Sequence, residues 1–180
     1  MKINPIRVTD MHTGGEPVRI IASGYPDIIG KTLLDKRRYT QKNLDHLRKF
    51  LMFEPRGHFD MYGVIPVIPD HPDAHMAVLF MHNEGYSTMC GHAVIALARY
   101  AIDKGLVNPV GPECQVNIRC PCGLIKAYVE ISTGRVHFES VSAFVFSRQK
   151  LMATVDSGPI EVDISYGGAF YAIVAANQFG

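Results

Sequence analysis

The segment that most restricts the fold is residues 89–102, which run from Met89-Cys90-Gly91-His92 to Ile102 and present apolar groups on nearly every side when wound as a helix. A helix without a polar face is stable in water only when it is enclosed. Thr88 or Ser87 is the expected N-cap, and Gly105, after Asp103 and Lys104, the expected left-handed stop. The rest of the chain offers strands as the enclosure. Short β-branched and aromatic runs recur at 17–22, 62–68, 75–81, 116–119, 124–131, 135–139, 143–146, 160–165 and 169–174, separated by Gly, Pro, Asn or Asp. The turns include Thr133-Gly134, Ser157-Gly158-Pro159 and Gly167-Gly168. The expected class is α/β (α+β), with a curved sheet wrapped around one central helix. A further helix is expected from a cap at Thr40, with Leu44, Leu47 and Leu51 on one face and a stop at Pro55, lying on the surface.

At 180 residues the chain suffices for one well-buried domain, or one domain and part of a second. Apolar residues at 47% and charged residues at 19% argue against long disorder. A net charge of +1 gives no general attraction to polyanions, so nucleic acid is not an expected partner. The local exception is a run of cations: Lys31, Lys36, Arg37, Arg38, Lys42, Arg48, Lys49 and Arg56. It reads as the wet face of a helix rather than an RNA or DNA patch. Pro5 and Asp10 interrupt any signal-like stretch near the start, and no apolar run approaches the roughly 20 residues a bilayer needs, so no membrane partner is expected. Cys90, Cys114, Cys120 and Cys122 are irregularly spaced, which fits reduced thiols and a cytoplasmic location.

Cys90 is the leading chemical candidate. In the first turn of the enclosed helix, unpaired backbone N–H groups and the helix dipole favour a thiolate. Gly91, without a side chain, leaves the amides of Gly91 and His92 open to a carboxylate. A bound carboxylate would raise the thiol pKa and acidify the substrate's Cα–H, which suits proton abstraction. An inert buried cysteine remains the alternative. His71, Asp73 and His75, with His58 and Asp60, carry metal-ligating groups at alternate positions, but Pro72 argues for a solvated loop, and no metal site is assigned. Cys120-Pro121-Cys122 has too little spacing for a structural zinc pair and reads as a turn at a strand entry. Gly14-Gly15 and Gly167-Gly168 lack the helix and the third glycine or Lys-Ser/Thr of nucleotide loops, and read as tight turns. For His12 and Glu16, facing a cleft and a purely structural role are both open.

Four ordered blocks give the chain a resemblance to the proline racemase family over its whole length. They are Asp10-Met11-His12-Thr13-Gly14-Gly15-Glu16-Pro17, then Glu54-Pro55-Arg56-Gly57-His58 with Asp60-Met61-Tyr62-Gly63, then Met89-Cys90-Gly91-His92-Ala93, and Asp163-Ile164-Ser165-Tyr166-Gly167-Gly168-Ala169-Phe170. Within the family, Lys36-Arg37-Arg38-Tyr39, residues 51–58, His82-Asn83-Glu84-Gly85-Tyr86-Ser87 and Cys120-Pro121-Cys122-Gly123 resemble the branch that dehydrates trans-3-hydroxy-L-proline. The resemblance implies a diaminopimelate epimerase-like fold with two similar halves. It also implies no cofactor and a small imino acid substrate held between the halves. Cys90 matches the first catalytic residue, and Gly91 and His92 match the carboxylate-holding amides. Residues 1–180 then correspond to the N-terminal catalytic half, with the last ~20–30 residues beginning an incomplete second half. The second catalytic residue would lie beyond Gly180, and Cys114, Cys120 and Cys122 do not match its motif.

The activity so implied is dehydration to pyrroline-2-carboxylate, incomplete in this chain alone. Proline racemisation or 4-hydroxyproline epimerisation is the nearest alternative. A non-catalytic fragment that binds a partner or forms a homodimer is the alternative of another class, and a metal hydrolase on His71, Asp73 and His75 is more distant. Uncovered sheet edges and apolar surface are expected, and with them self-association.

Overall fold

The computed structural model describes residues 5–154 and 158–179. The expected turn at Ser157 and residues 1–4 of the N-terminal stretch lie outside them. The chain divides into two compact units between Glu139 and Ser140.

The first unit is built on a seven-stranded sheet whose spatial order follows the sequence. Its strands are β1 (Arg7–Thr13), β2 (Glu16–Ser23), β3 (Tyr62–Val67), β4 (Met76–His82), β5 (Glu113–Cys120), β6 (Gly123–Glu130) and β7 (Val136–Glu139). Pairing is antiparallel except between β2 and β3 and between β4 and β5. Those two parallel joints follow from the connections, because each carries helix and must return to the same end of the sheet. Helices α1 (Leu33–Asn43) and α2 (Asp45–Met52) lie between β2 and β3, and α3 (Gly91–Asp103) lies between β4 and β5.

Helix α3 packs against β1, β2, β3, β5, β6 and β7, so the sheet curls around it as its apolar sequence requires. Ala93, Val94, Ala96, Leu97, Ala98, Tyr100 and Ala101 are buried. It ends as expected at Gly105, whose φ of 67° places it in the left-handed region. At the other end the structure departs from the expected cap. The N-cap is Cys90 itself, in extended conformation, and neither Thr88 nor Ser87.

Strand β4 is buried on both faces. By strand alternation Met76, Val78 and Phe80 share one face, while Ala77, Leu79 and Met81 share the other. The latter three join Leu33, Leu51, Met52, Met61 and Ile65 in a core beneath α1 and α2. Gly63 of β3 has no side chain because one would meet the Met52 and Met81 methyl groups at 2.7 and 2.9 Å.

The helical region differs most from expectation. Thr40 does not cap a helix; it is buried within α1 and its hydroxyl donates to Lys36 O at 2.9 Å. The cap is Thr32, which forms a capping box with Asp35. The cationic run is only partly a wet face. Lys36 donates to Ile68 O at 2.5 Å, Arg37 to Tyr86 O, and Arg48 to His82 O at 2.8 Å, so these cations serve main-chain carbonyls instead. Lys31, Arg38, Lys42, Lys49 and Arg56 are exposed, as expected.

The loop from 68 to 75 is fixed by Asp70, which accepts from the Leu33 N–H at 2.6 Å and from Arg119 at 2.9 Å. It thereby ties the first turn of α1 to β5. Burial opposes its charge, but the Leu33 N–H and Arg119 outweigh burial and hold its pKa below the usual carboxylate range. Asp70→Asn is expected to destabilise the chain by about 1–3 kcal/mol, read from the urea midpoint at pH 7. A depressed folded pKa contributes stability above the ordinary carboxylate pKa, and that stability is lost as pH falls through the folded value. The gap between Asp70→Asn and the parent should therefore close in acid.

The second unit is a three-stranded antiparallel sheet, β8 (Phe144–Thr154), β9 (Gly158–Tyr166) and β10 (Phe170–Ile173), in the order β10-β9-β8. Phe144, Phe146, Tyr166 and Phe170 form an aromatic group with ring centroids 4.9–5.5 Å apart. Phe144, Val145, Phe146, Phe170, Tyr171, Ile173 and Phe179 are exposed, which matches the expected uncovered apolar surface. Gly167-Gly168 turns β9 into β10, and Gly14-Gly15 turns β1 into β2, both as expected.

Candidate functional site

Three of the sequence blocks in the first unit converge at the opening of α3. Cys90 precedes the helix, and the β1–β2 hairpin comes alongside, with the Thr13 hydroxyl donating to His92 O at 2.9 Å. Tyr62, the first residue of β3, sets its ring edge on to that of His92 with centroids 5.0 Å apart. Its hydroxyl is hydrogen-bonded to the Ser87 hydroxyl.

The hydrogen bonds of His92 define its chemistry. Its Nε2 lies 3.2 Å from Pro17 O, an atom that can only accept, so Nε2 carries the proton. That leaves Nδ1 as an acceptor, 3.2 Å from Cys90 Sγ. The thiol therefore has a base within reach, and proton transfer would give a thiolate beside an imidazolium. Sequence alone points to His92 only through its backbone amide. The side-chain contact was not legible because it depends on Pro17, 75 residues away.

Cys90 is 8% exposed. Contrary to the expectation of an easily ionised thiol, burial pushes its pKa up, and the nearby Glu16 carboxylate adds to this. The N–H groups of Ala93 and His92 and the Tyr62 hydroxyl pull in the other direction without overcoming burial. The sequence locates the helix start but not the depth of the sulfur. Tyr62→Phe should raise the thiol pKa further and slow iodoacetamide labelling of Cys90 at pH 7.5 by about threefold, with the pH midpoint of labelling moving upward.

Gly91 also answers a packing demand. A Cβ there would stand 3.3 Å from Cζ of Phe138 on β7. Glycine thus lets the sheet close on the helix start.

The remaining candidates lie elsewhere or serve structure. His12 Nδ1 accepts from the Gly15 N–H at 3.3 Å and so supports the hairpin turn. His71 Nδ1 accepts from Asp73 N–H at 3.2 Å, and His75 Nδ1 from Asn117 N–H at 2.9 Å. Among the described residues no three His, Cys, Asp or Glu side chains are grouped to hold a metal ion. Cys120-Pro121-Cys122 forms the β5–β6 turn, as expected. The block from Asp163 to Phe170 lies in the β9–β10 hairpin of the second unit. No helix among the described residues is long and apolar enough to cross a membrane.

The chain has clear relatives. The family described as Proline racemase matches residues 8–180. The trans-L-3-hydroxyproline dehydratase of Xenopus tropicalis is 58% identical over 179 residues, which cover 97% of this chain and 51% of that protein. The human trans-3-hydroxy-L-proline dehydratase is 56% identical over 182 residues, again 97% and 51%. The chain therefore spans about half the length of the curated relatives it matches. Among solved structures, a hydroxyproline epimerase from Agrobacterium vitis with bound trans-4-hydroxy-L-proline superposes with a TM-score of 0.86 at 27% identity, over 96% of this chain and 52% of that one. A probable proline racemase from Agrobacterium radiobacter with bound carbonate gives 0.88 at 29% identity, over 98% and 53%.

Proposed function

Because the chain belongs to the proline racemase family, we propose that the whole protein dehydrates trans-3-hydroxy-L-proline to pyrroline-2-carboxylate without a cofactor, and that this chain is its N-terminal half. The observation that carries the reading is the Cys90–His92 pair at the opening of α3, in a chain 56–58% identical to proteins named for that reaction.

In this mechanism the substrate carboxylate sits on the amides of Gly91 and His92, where helix N–H groups favour an anion. His92 Nδ1 takes the Cys90 proton, and the thiolate removes the proton from Cα. The electrons left on Cα form the double bond to C3 as the 3-hydroxyl departs. It leaves as water, with a proton supplied from the other half of the protein. The enamine then tautomerises to pyrroline-2-carboxylate. The burial that raises the thiol pKa also keeps water from the carbanionic centre, and His92 offsets its cost by holding the proton locally.

The exposed aromatic surface of β8–β10 supports reading the second unit as the start of the second half, to be covered by the rest of that half or by a second copy in a homodimer. Four unpaired cysteines suit a cytoplasmic enzyme.

The test is to incubate the full-length protein with trans-3-hydroxy-L-proline, L-proline and trans-4-hydroxy-L-proline. Pyrroline-2-carboxylate should form from the first, with no inversion at Cα of the other two. The racemase or epimerase reading is favoured by the two solved relatives, and inversion of proline or 4-hydroxyproline without dehydration would establish it instead.

A further inference from the structure

The turn from β5 to β6 carries two thiols that the proposed reaction does not use. Cys120 pairs with Gly123 across the hairpin, and Pro121-Cys122 makes the reversal. Pro121 fixes its own φ, so the two cysteines are held on one tight, pre-set bend. Neither is in a disulfide; Cys120 is fully buried and Cys122 half-buried. The interaction between the two thiols draws the Cys122 thiol down and, together with burial, pushes Cys120 well up. One sulfur is thus half-exposed and its neighbour enclosed, the arrangement of an attacking thiol beside a resolving one. The Cys122 N–H donates to Thr88 O at 3.1 Å, two residues before Cys90, so the turn is tied to the segment that delivers Cys90 to α3.

We propose that Cys120 and Cys122 form a reversible peroxide-sensing dithiol, closing to a disulfide that loosens the Thr88 contact and displaces Cys90. The Cys122 thiolate attacks one oxygen of hydrogen peroxide. The O–O bond breaks, hydroxide leaves, and Cys122 becomes a sulfenic acid. Cys120 then attacks that sulfur, the S–S bond forms, and the S–O bond breaks. The hydroxyl leaves with the Cys120 proton as water. Each cysteine gives up one electron, and the peroxide is reduced to two waters. An added dithiol restores both thiols by exchange. The effect on turnover rests on the role proposed for Cys90; formation of the disulfide does not.

The experiment treats the chain, and separately the full-length protein, with hydrogen peroxide. It then blocks free thiols with iodoacetamide and digests with trypsin, which cuts after Arg119 and Lys126 and leaves both cysteines in one peptide. The expected product is peptide 120–126 lighter by two hydrogen atoms and unlabelled, becoming doubly labelled when dithiothreitol precedes the iodoacetamide. In the oxidised protein, Cys90 labelling should change at least about threefold, and the change should vanish in Cys122→Ser. Cys122→Ser should otherwise leave the reduced full-length protein as active as its parent. A Cys90–Cys120 disulfide, over-oxidation of Cys122 without closure, or a disulfide that leaves Cys90 labelling unchanged would overturn the proposal. If the disulfide forms and alters Cys90 labelling while the protein turns over no hydroxyproline, the thiol pair stands and the assigned reaction falls.

Discussion

Cys90→Ala in the full-length protein is expected to lower turnover of trans-3-hydroxy-L-proline by a factor on the order of 10²–10⁴, the usual contribution of a positioned proton-transfer group. That is about 3–5 kcal/mol of barrier. The loss should fall on kcat more than on KM, because the Gly91 and His92 amides proposed to hold the carboxylate remain. Cys90→Ser should be nearly as damaging, since a hydroxyl beside His92 ionises far less readily than a thiol. His92→Gln offers an independent check: without the basic nitrogen that lies 3.2 Å from Sγ, turnover should fall and its pH optimum should move upward. Cys90→Ala with turnover within about threefold of the parent, confirmed folded by an unchanged urea midpoint, would remove the thiol from the mechanism.

Arg48→Met should be the most destabilising single change at a charged residue, by about 2–4 kcal/mol. Arg48 is 5% exposed. It holds Asp45 through two hydrogen bonds of 2.6 and 3.1 Å, donates to His82 O at 2.8 Å and to Asn83 O, and lies over the Phe53 and Tyr86 rings. Methionine replaces the stem but leaves two carbonyls without their donor. Calorimetry or urea unfolding at pH 7 measures the loss. The pH dependence has a definite sign. Arg48 holds the Asp45 carboxyl below the usual range, so its contribution is present above the ordinary carboxylate pKa of about 4 and disappears as pH falls through the depressed value. The variant's deficit should therefore shrink in acid. A deficit equal at pH 7 and pH 3 would show that packing, and not the ion pair, is what the substitution removes.

Hydrophobic pattern carried the sequence reading where apolar side chains decide the structure. The enclosed helix, its Gly105 stop and the runs that became β2 through β10 all belong to that class. Strand β1 escaped because Thr9, Asp10, His12 and Thr13 give it little apolar alternation, and it is held instead by pairing with β2 and by Arg19–Asp10. The start of α1 was misplaced because two threonines compete as caps. What distinguishes Thr32 is Asp35, three residues on, which completes the box; Thr40 has Asn43 at the same offset. The buried cations were misread because their partners are main-chain carbonyls distant in sequence, which leave no trace in local composition. At the site, the helix start and Cys90 were legible, whereas Tyr62, Thr13 and the imidazole of His92 became visible only once β1, β2 and β3 were arranged around α3.

The sequential order of the seven-stranded sheet bears on how the chain is made. Every strand bonds to its neighbours in sequence, so each can be added as it leaves the ribosome, without waiting for a distant partner. Helix α3 is synthesised when only β1 to β4 exist to receive it. Until β5, β6 and β7 follow, its remaining side lies open, and a pause after Asp103 would leave the most apolar helix of the chain half wrapped and prone to adhere to other nascent chains.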